Sequence, residues 1–122
     1  MNKVRVLIVD DSGYVIAVVS KRLQADSEIE VIGSARTGVE AIEKVKSLRP
    51  DVVTMDIIMP EMDGLTALKH IMAECPTPVI MLSALTSENA ESTIRALEYG
   101  AVARLSSTSF LAASAAEAGI SL

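Results

Sequence analysis

Aromatic residues are nearly missing from this chain: they make up 2% of 122 residues, and there is no tryptophan. A core without rings has to be aliphatic, and half of the residues are hydrophobic, mostly Val, Ile, Leu, Ala and Met. Cys75 is the only cysteine, which excludes an internal disulfide and points to a reducing compartment. His70 is the only histidine; it falls on the polar side of an apolar-striped segment, with no carboxylate or cysteine in helical register to complete a metal site. No apolar run approaches the roughly 20 residues of a membrane helix, and the start, Met1 to Arg5, enters a strand-like segment too short for a signal-peptide core. Positive charge is also scarce. Eleven Lys and Arg stand against 16 Asp and Glu, a net charge of −5 with pI near 4.8, which argues against a sequence-independent grip on nucleic acid. There is no internal repeat and no low-complexity linker. A single cytoplasmic domain over 1–122 is expected, touching neither nucleic acid nor membrane.

What is present is an alternation of two periods. Val4 to Val9 reads as a buried β-branched strand, followed by Asp10-Asp11-Ser12 with Ser12 as a helix N-cap. Val15, Val18, Val19 and Leu23 then recur at helical spacing. Glu30 to Ser34 is a second strand, and Ala41, Ile42, Val45 and Leu48 stripe a second helix that Pro50 ends. Asp51 to Asp56 is a third strand; Leu65, Leu68, Ile71 and Met72 stripe a third helix that stops at Pro76 and Pro78. Val79 to Leu82 is a fourth strand. Ala90, Ile94 and Leu97 form a fourth helix ended by Gly100. Ala101 to Leu105 is a weaker fifth strand, and Ser109 to Ala118 a short alanine-rich helix. Strands alternating with helices imply an α/β, doubly wound, five-stranded parallel sheet. The second strand, shorter than the first and third and more polar than the first, third and fourth, belongs at an edge, giving order 2-1-3-4-5 in a three-layer flavodoxin-like sandwich.

That order places Asp10, Asp11 and Asp56 at one crevice, beyond the carboxyl ends of the strands, where ligands bind in such sheets. Three neighbouring carboxylates cannot all stay ionised comfortably without a cation. A hard divalent ion, Mg²⁺ or Mn²⁺, held by Asp11 and Asp56 with Asp10 in support, resolves the conflict. The plainer alternative, Asp10 and Asp11 as charges favoured at a helix N-terminus, leaves Asp56 unexplained. An aspartate beside such an ion can act as a nucleophile toward phosphorus. Ser83, ending the fourth strand, can donate a hydrogen bond to a phosphoryl oxygen, and the small Ala84 leaves the approach open.

These residues carry a resemblance. Over positions 3 to 105 the chain resembles the receiver domain of two-component response regulators: Asp10-Asp11 matches the acidic pair, Asp56 the phospho-accepting aspartate, Ile57 to Gly64 the following loop and Ser83 the switch position. Within that family, Val4 to Ser12, Val79 to Thr86 and Ala96 to Ala101 are similar to the receiver half of the chemotaxis protein-glutamate methylesterase. The resemblance implies a CheY-like fold and a metal site of Asp10, Asp11, Asp56 and the backbone carbonyl of Ile58. It also implies phosphoryl transfer from a histidine kinase to Asp56, and an effector partner on the face of the fourth helix, fifth strand and fifth helix. Esterase chemistry is not expected here, because no Gly-x-Ser-x-Gly elbow occurs; the chain reads as a regulatory domain cut from such a protein or a stand-alone relative.

The match breaks at the end. Ser107 stands where receivers carry a lysine, Arg104 where they carry an aromatic switch residue, and residues 106–122 form an atypical tail. A phosphorylation-independent interaction module of the same fold is therefore the second reading. A Mg²⁺-dependent phosphohydrolase is the third, weakened because Ile58 occupies the place of a general acid two residues after Asp56. Cys75 reads as a structural or incidental thiol in a loop, Met55, Met72 and Met81 as core filler, and Glu40, Glu43, Lys44 and Lys46 as a solvated helix face.

Overall fold

The alternation of periods becomes an alternation of elements in the computed structural model, which describes residues 3–56, 59, 61–83 and 103–106. The chain runs β1 (Val4–Val9), α1 (Gly13–Gln24), β2 (Ile29–Ala35), α2 (Gly38–Leu48), β3 (Val52–Asp56), α3 (Gly64–Glu74), β4 (Val79–Ser83) and β5 (Ala103–Ser106). All pairings are parallel, and the five strands lie in the order β2-β1-β3-β4-β5. The expected fourth helix (90–97) and fifth helix (109–118) lie outside the described residues.

Side chains alternate across the sheet, and each face of β1 buries a different set. Leu7 and Val9 point to the side where α2 and α3 pack, meeting Val45, Met55, Leu68 and Ile71. Val6 and Ile8 point to the other side and meet Val19 of α1, with Val15, Ile16 and Leu23 packed around them. Each such aliphatic side chain contributes about 1.5–3 kcal/mol on burial, so the two faces together fix the layering without an aromatic. Met55 and Met81 are fully buried and Met72 packs against the same core, as expected of filler. Ile16 was not among the positions picked out by helical spacing, yet it lies against the α1 cluster.

Helix ends follow local chemistry. Ser12, Thr37 and Asp63 are the N-caps, their side-chain oxygens accepting from Val15, Glu40 and Thr66 amides at 3.2, 3.1 and 2.8 Å. α2 ends on Arg49 in the left-handed conformation (φ 51°), just ahead of Pro50. Cys75 caps the C-terminus of α3, its amide donating to the Ile71 carbonyl at 2.8 Å, and its side chain packs against the core, as a structural thiol does.

One expectation about the edge strand needs correction. β2 does stand at the edge, but it is seven residues long, against six for β1. Its extra length comes with a bulge: Val6 pairs with Val31 while Leu7 pairs with Gly33, leaving Ile32 unmatched. Gly33 follows the bulge, and a Cβ there would come within 3.1 Å of a Leu48 methyl. Polarity and not shortness marks the edge, and Lys44 covers it by donating to the Ser34 carbonyl.

Candidate metal centre

The carboxyl ends of β1 and β3 meet where the sequence places its acids. Val9 pairs with Met55, so Asp10 and Asp56 come side by side one step further on. The Asp10 amide still donates to the Ala35 carbonyl of β2 at 3.0 Å, which prolongs the ladder past the strand. Its own carboxylate turns back to accept from the Ser12 amide at 2.9 Å, forming the tight turn into α1. Asp11, between them, is exposed, and Asp56 is half-buried. One carboxylate oxygen from each of Asp10, Asp11 and Asp56 lies within 4.8 Å of the other two.

Asp10 is only 6% exposed, and that burial pushes its carboxyl above the usual carboxylate range. The Ser12 amide works the other way, while the neighbouring Asp11 charge adds to the rise. Charge held in so little water asks for a compensating cation. The donors are all hard carboxylate oxygens on two adjacent strand ends, one side open to solvent. This is the donor set of Mg²⁺ or Mn²⁺, which keep several waters, and it is a poor set for softer metals.

The surrounding turns keep the acids in place. Met59, three residues past Asp56, is buried in the core and anchors the departing loop. Glu61 adopts a left-handed conformation (φ 67°), which turns the chain toward the Asp63 cap. Met62 fills the space beside Gly38, where a Cβ would approach it to 2.9 Å, so the loop after Asp56 leans on the start of α2.

Of the residues singled out from sequence, Asp10, Asp11 and Asp56 come together. Ser83 ends β4 one position beyond Leu82, the partner of Asp56. Ile58, Ala84 and Ser107 lie outside the described residues. Arg104 lies in β5, paired with Met81. His70 is half-exposed as expected, but contrary to expectation a carboxylate does share its helical register: its Nδ1 lies 3.3 Å from Glu74 one turn on. Glu74 also pairs with Lys46 of α2. The residue missed altogether is Arg36, whose guanidinium donates to the Asp11 carbonyl from Nε at 3.2 Å and Nη2 at 2.8 Å. Only its place one residue past the second strand, at the same sheet edge, could have drawn attention to it.

Comparison with known proteins agrees with this geometry. Residues 6–108 match the response regulator receiver domain family. The protein-glutamate methylesterase/protein-glutamine glutaminase of Lawsonia intracellularis is 59% identical over 98 residues, 80% of this chain and 28% of that protein. The chain thus spans about a quarter of the length of the curated relatives it matches. The response regulator domain of Thermotoga maritima CheB superimposes with a TM-score of 0.82 at 37% identity, covering 99% of this chain and 100% of that one. A Borrelia burgdorferi CheX–CheY complex with BeF3 and Mg²⁺ gives a TM-score of 0.73 at 32% identity, covering 96% and 90%. No helix among the described residues is long and apolar enough to cross a membrane. A family match that begins in β1 and ends just past β5, over strands in the order found here, means that this chain belongs to the response regulator receiver domain family, with its likeness to CheB receivers running through most of its length.

Proposed function

We propose that this receiver accepts a phosphoryl group on Asp56 and serves as the regulatory switch of a chemotaxis response regulator. The observation that carries the proposal is the convergence of Asp10, Asp11 and Asp56 to within 4.8 Å at the open end of the sheet. A carboxylate oxygen of Asp56 attacks phosphorus, a P–O bond forms, and the P–N bond of a phosphohistidine donor breaks with its electron pair returning to the imidazole, which takes up a proton. A divalent cation held by Asp10, Asp11, Asp56 and the Ile58 carbonyl would supply charge neutralisation on the transferred group. Ser83 donates to a phosphoryl oxygen and reads its presence, and the small Ala84 leaves the line of approach clear. Such contacts bias a two-state equilibrium, which is how a local charge reaches a distant surface.

In this reading the donor is a chemotaxis-type histidine kinase and the compartment is the cytoplasm. The receiver spans 1–122, with 106–122 an atypical end, and an effector domain or protein meets the face of the fourth helix, fifth strand and fifth helix. The role of this receiver is regulatory, and the region it shares with the methylesterase relatives is about a quarter of their length. A second reading, an interaction module that works without phosphorylation, is favoured by Ser107 and Arg104. Without a lysine ammonium, charge on the phosphoryl group loses one stabilising partner, a contribution of about 3 kcal/mol in comparable sites.

Intact mass after incubation with acetyl phosphate and Mg²⁺, beside an Asp56→Asn control, separates the two. A phosphoryl adduct on the wild type alone is the expected result. No adduct, with Mg²⁺ binding intact, moves the assignment to the interaction module.

A further inference from the structure

Arg36 is the first residue beyond β2, and its side chain crosses to the β1–α1 turn. Two of its nitrogens converge on one acceptor, the Asp11 carbonyl, at 3.2 and 2.8 Å. That carbonyl belongs to the residue just ahead of the Ser12 N-cap, on the exposed member of the acidic trio. The guanidinium also lies against the start of α1, since a Cβ on Gly13 would meet it at 3.9 Å.

The arginine is itself tied down from α2. Its amide donates to Glu40 Oε2 at 3.3 Å, the other Glu40 oxygen lies 3.0 Å from Lys44 Nζ, and Lys44 reaches on to the Ser34 carbonyl of β2. Lys44 first, with the Arg36 amide second, holds the Glu40 carboxyl below the usual carboxylate range, so it remains an ionised acceptor through neutral pH. A continuous polar chain thus runs from the edge of the sheet to the turn that carries two of the three carboxylates.

We infer that Arg36 is a positioning residue for the metal centre, its fork on the Asp11 carbonyl setting the carboxylates of Asp10 and Asp11 against Asp56. The inference rests on the reading of those carboxylates as a divalent-cation site. A guanidinium near a cation has two opposed effects, and they can be separated. Its charge repels the ion, weakly at an exposed site in physiological salt. Its hydrogen bonds hold the turn in the geometry that binds the ion, and lost support of this kind typically weakens metal affinity by about tenfold or more.

The test is a Mg²⁺ titration of the whole chain, read as binding heat and as the metal-induced rise in unfolding midpoint, for wild type, Arg36→Met and Arg36→Lys. Met keeps the aliphatic stem without charge or donors; Lys keeps the charge without the planar fork. The expected result is affinity about tenfold weaker for Met, with Lys between Met and wild type, and metal-free midpoints near that of the wild type. Unchanged or tighter Mg²⁺ binding by the Met variant overturns the inference, tighter binding being the mark of a purely electrostatic neighbour. So does a lowered metal-free midpoint with undiminished affinity, the mark of a purely structural contact. A wild type that neither binds Mg²⁺ nor gains stability from it overturns the reading of the carboxylates themselves, and the positioning role falls with it.

Discussion

Thr54 carries a hydroxyl into the aliphatic face between Ile8 and Ile80, its neighbours in register on β1 and β4. It is 8% exposed, and the hydroxyl has no hydrogen-bond partner among the described residues. An unsatisfied buried hydroxyl costs about 1–3 kcal/mol, while valine offers the same branched shape and no polar atom. Thr54→Val is therefore expected to raise stability by about 1 kcal/mol and the unfolding midpoint by roughly 3–6 °C. Thermal unfolding checks this, and a lowered midpoint would mean that the hydroxyl is in use. At this scale the acids were legible, because an Asp at the end of an apolar run has few packing roles. Arg36 was not, since a surface arginine gives no sign of which carbonyl it will reach, whereas Glu74 stands one helical turn after His70 in the sequence itself.

Elements close one another's ends. The C-terminus of α2 exposes carbonyls that no further turn can satisfy, and Arg5 of β1 supplies the donors: its guanidinium bonds the Leu48 and Arg49 carbonyls, each at 2.8 Å. The Arg5 backbone adds two bonds to Asp51, from its amide to the carboxylate and from the Asp51 amide to its carbonyl, each at 2.8 Å. A cation at a helix C-terminus also complements the helix dipole. Arg5→Ala is expected to cost about 1 kcal/mol at this partly exposed site, and Arg5→Lys to recover only part, since a single ammonium cannot span two carbonyls. Chemical denaturation of the three proteins gives the ranking, and equal stabilities would remove the cap from the account. The N-cap Ser12 and the proline stops were readable because capping is a local affair. This long-range cap was not, because only the sheet brings the start of β1 beside the end of α2.

For the whole molecule, the buried Asp10 links folding to pH and to metal. Its carboxyl is raised above the ordinary value, foremost by burial, so the native state holds the proton more tightly than the unfolded chain does. Without metal, stability is therefore expected to fall as pH rises from the ordinary carboxylate value through the raised one, and then to level off. Asp10→Asn should remove that fall and leave the metal-free protein more stable at neutral pH, while weakening Mg²⁺ binding. With Mg²⁺ present the sign reverses, because binding requires ionised carboxylates: the wild type should gain about 2.7 kcal/mol at a hundredfold excess over Kd, and lose it as pH falls. Thermal melts across pH, with Mg²⁺ and with chelator, decide the point; slopes of the same sign in both would contradict it.

By itself, the order of apolar runs, breakers and caps determined the layers, the strand order and the identity of the three acids, because periodicity and capping act over a few residues. A sheet of that order can only gather the ends of β1 and β3 at one edge. What the tertiary structure decided is the set of long-range contacts: the bulge in β2, the Arg5 cap on the end of α2 and the Arg36 fork on the Asp11 carbonyl. Each joins residues far apart in the chain through a side chain whose reach exceeds any local pattern. Packing alone selects which distant carbonyl a guanidinium finds.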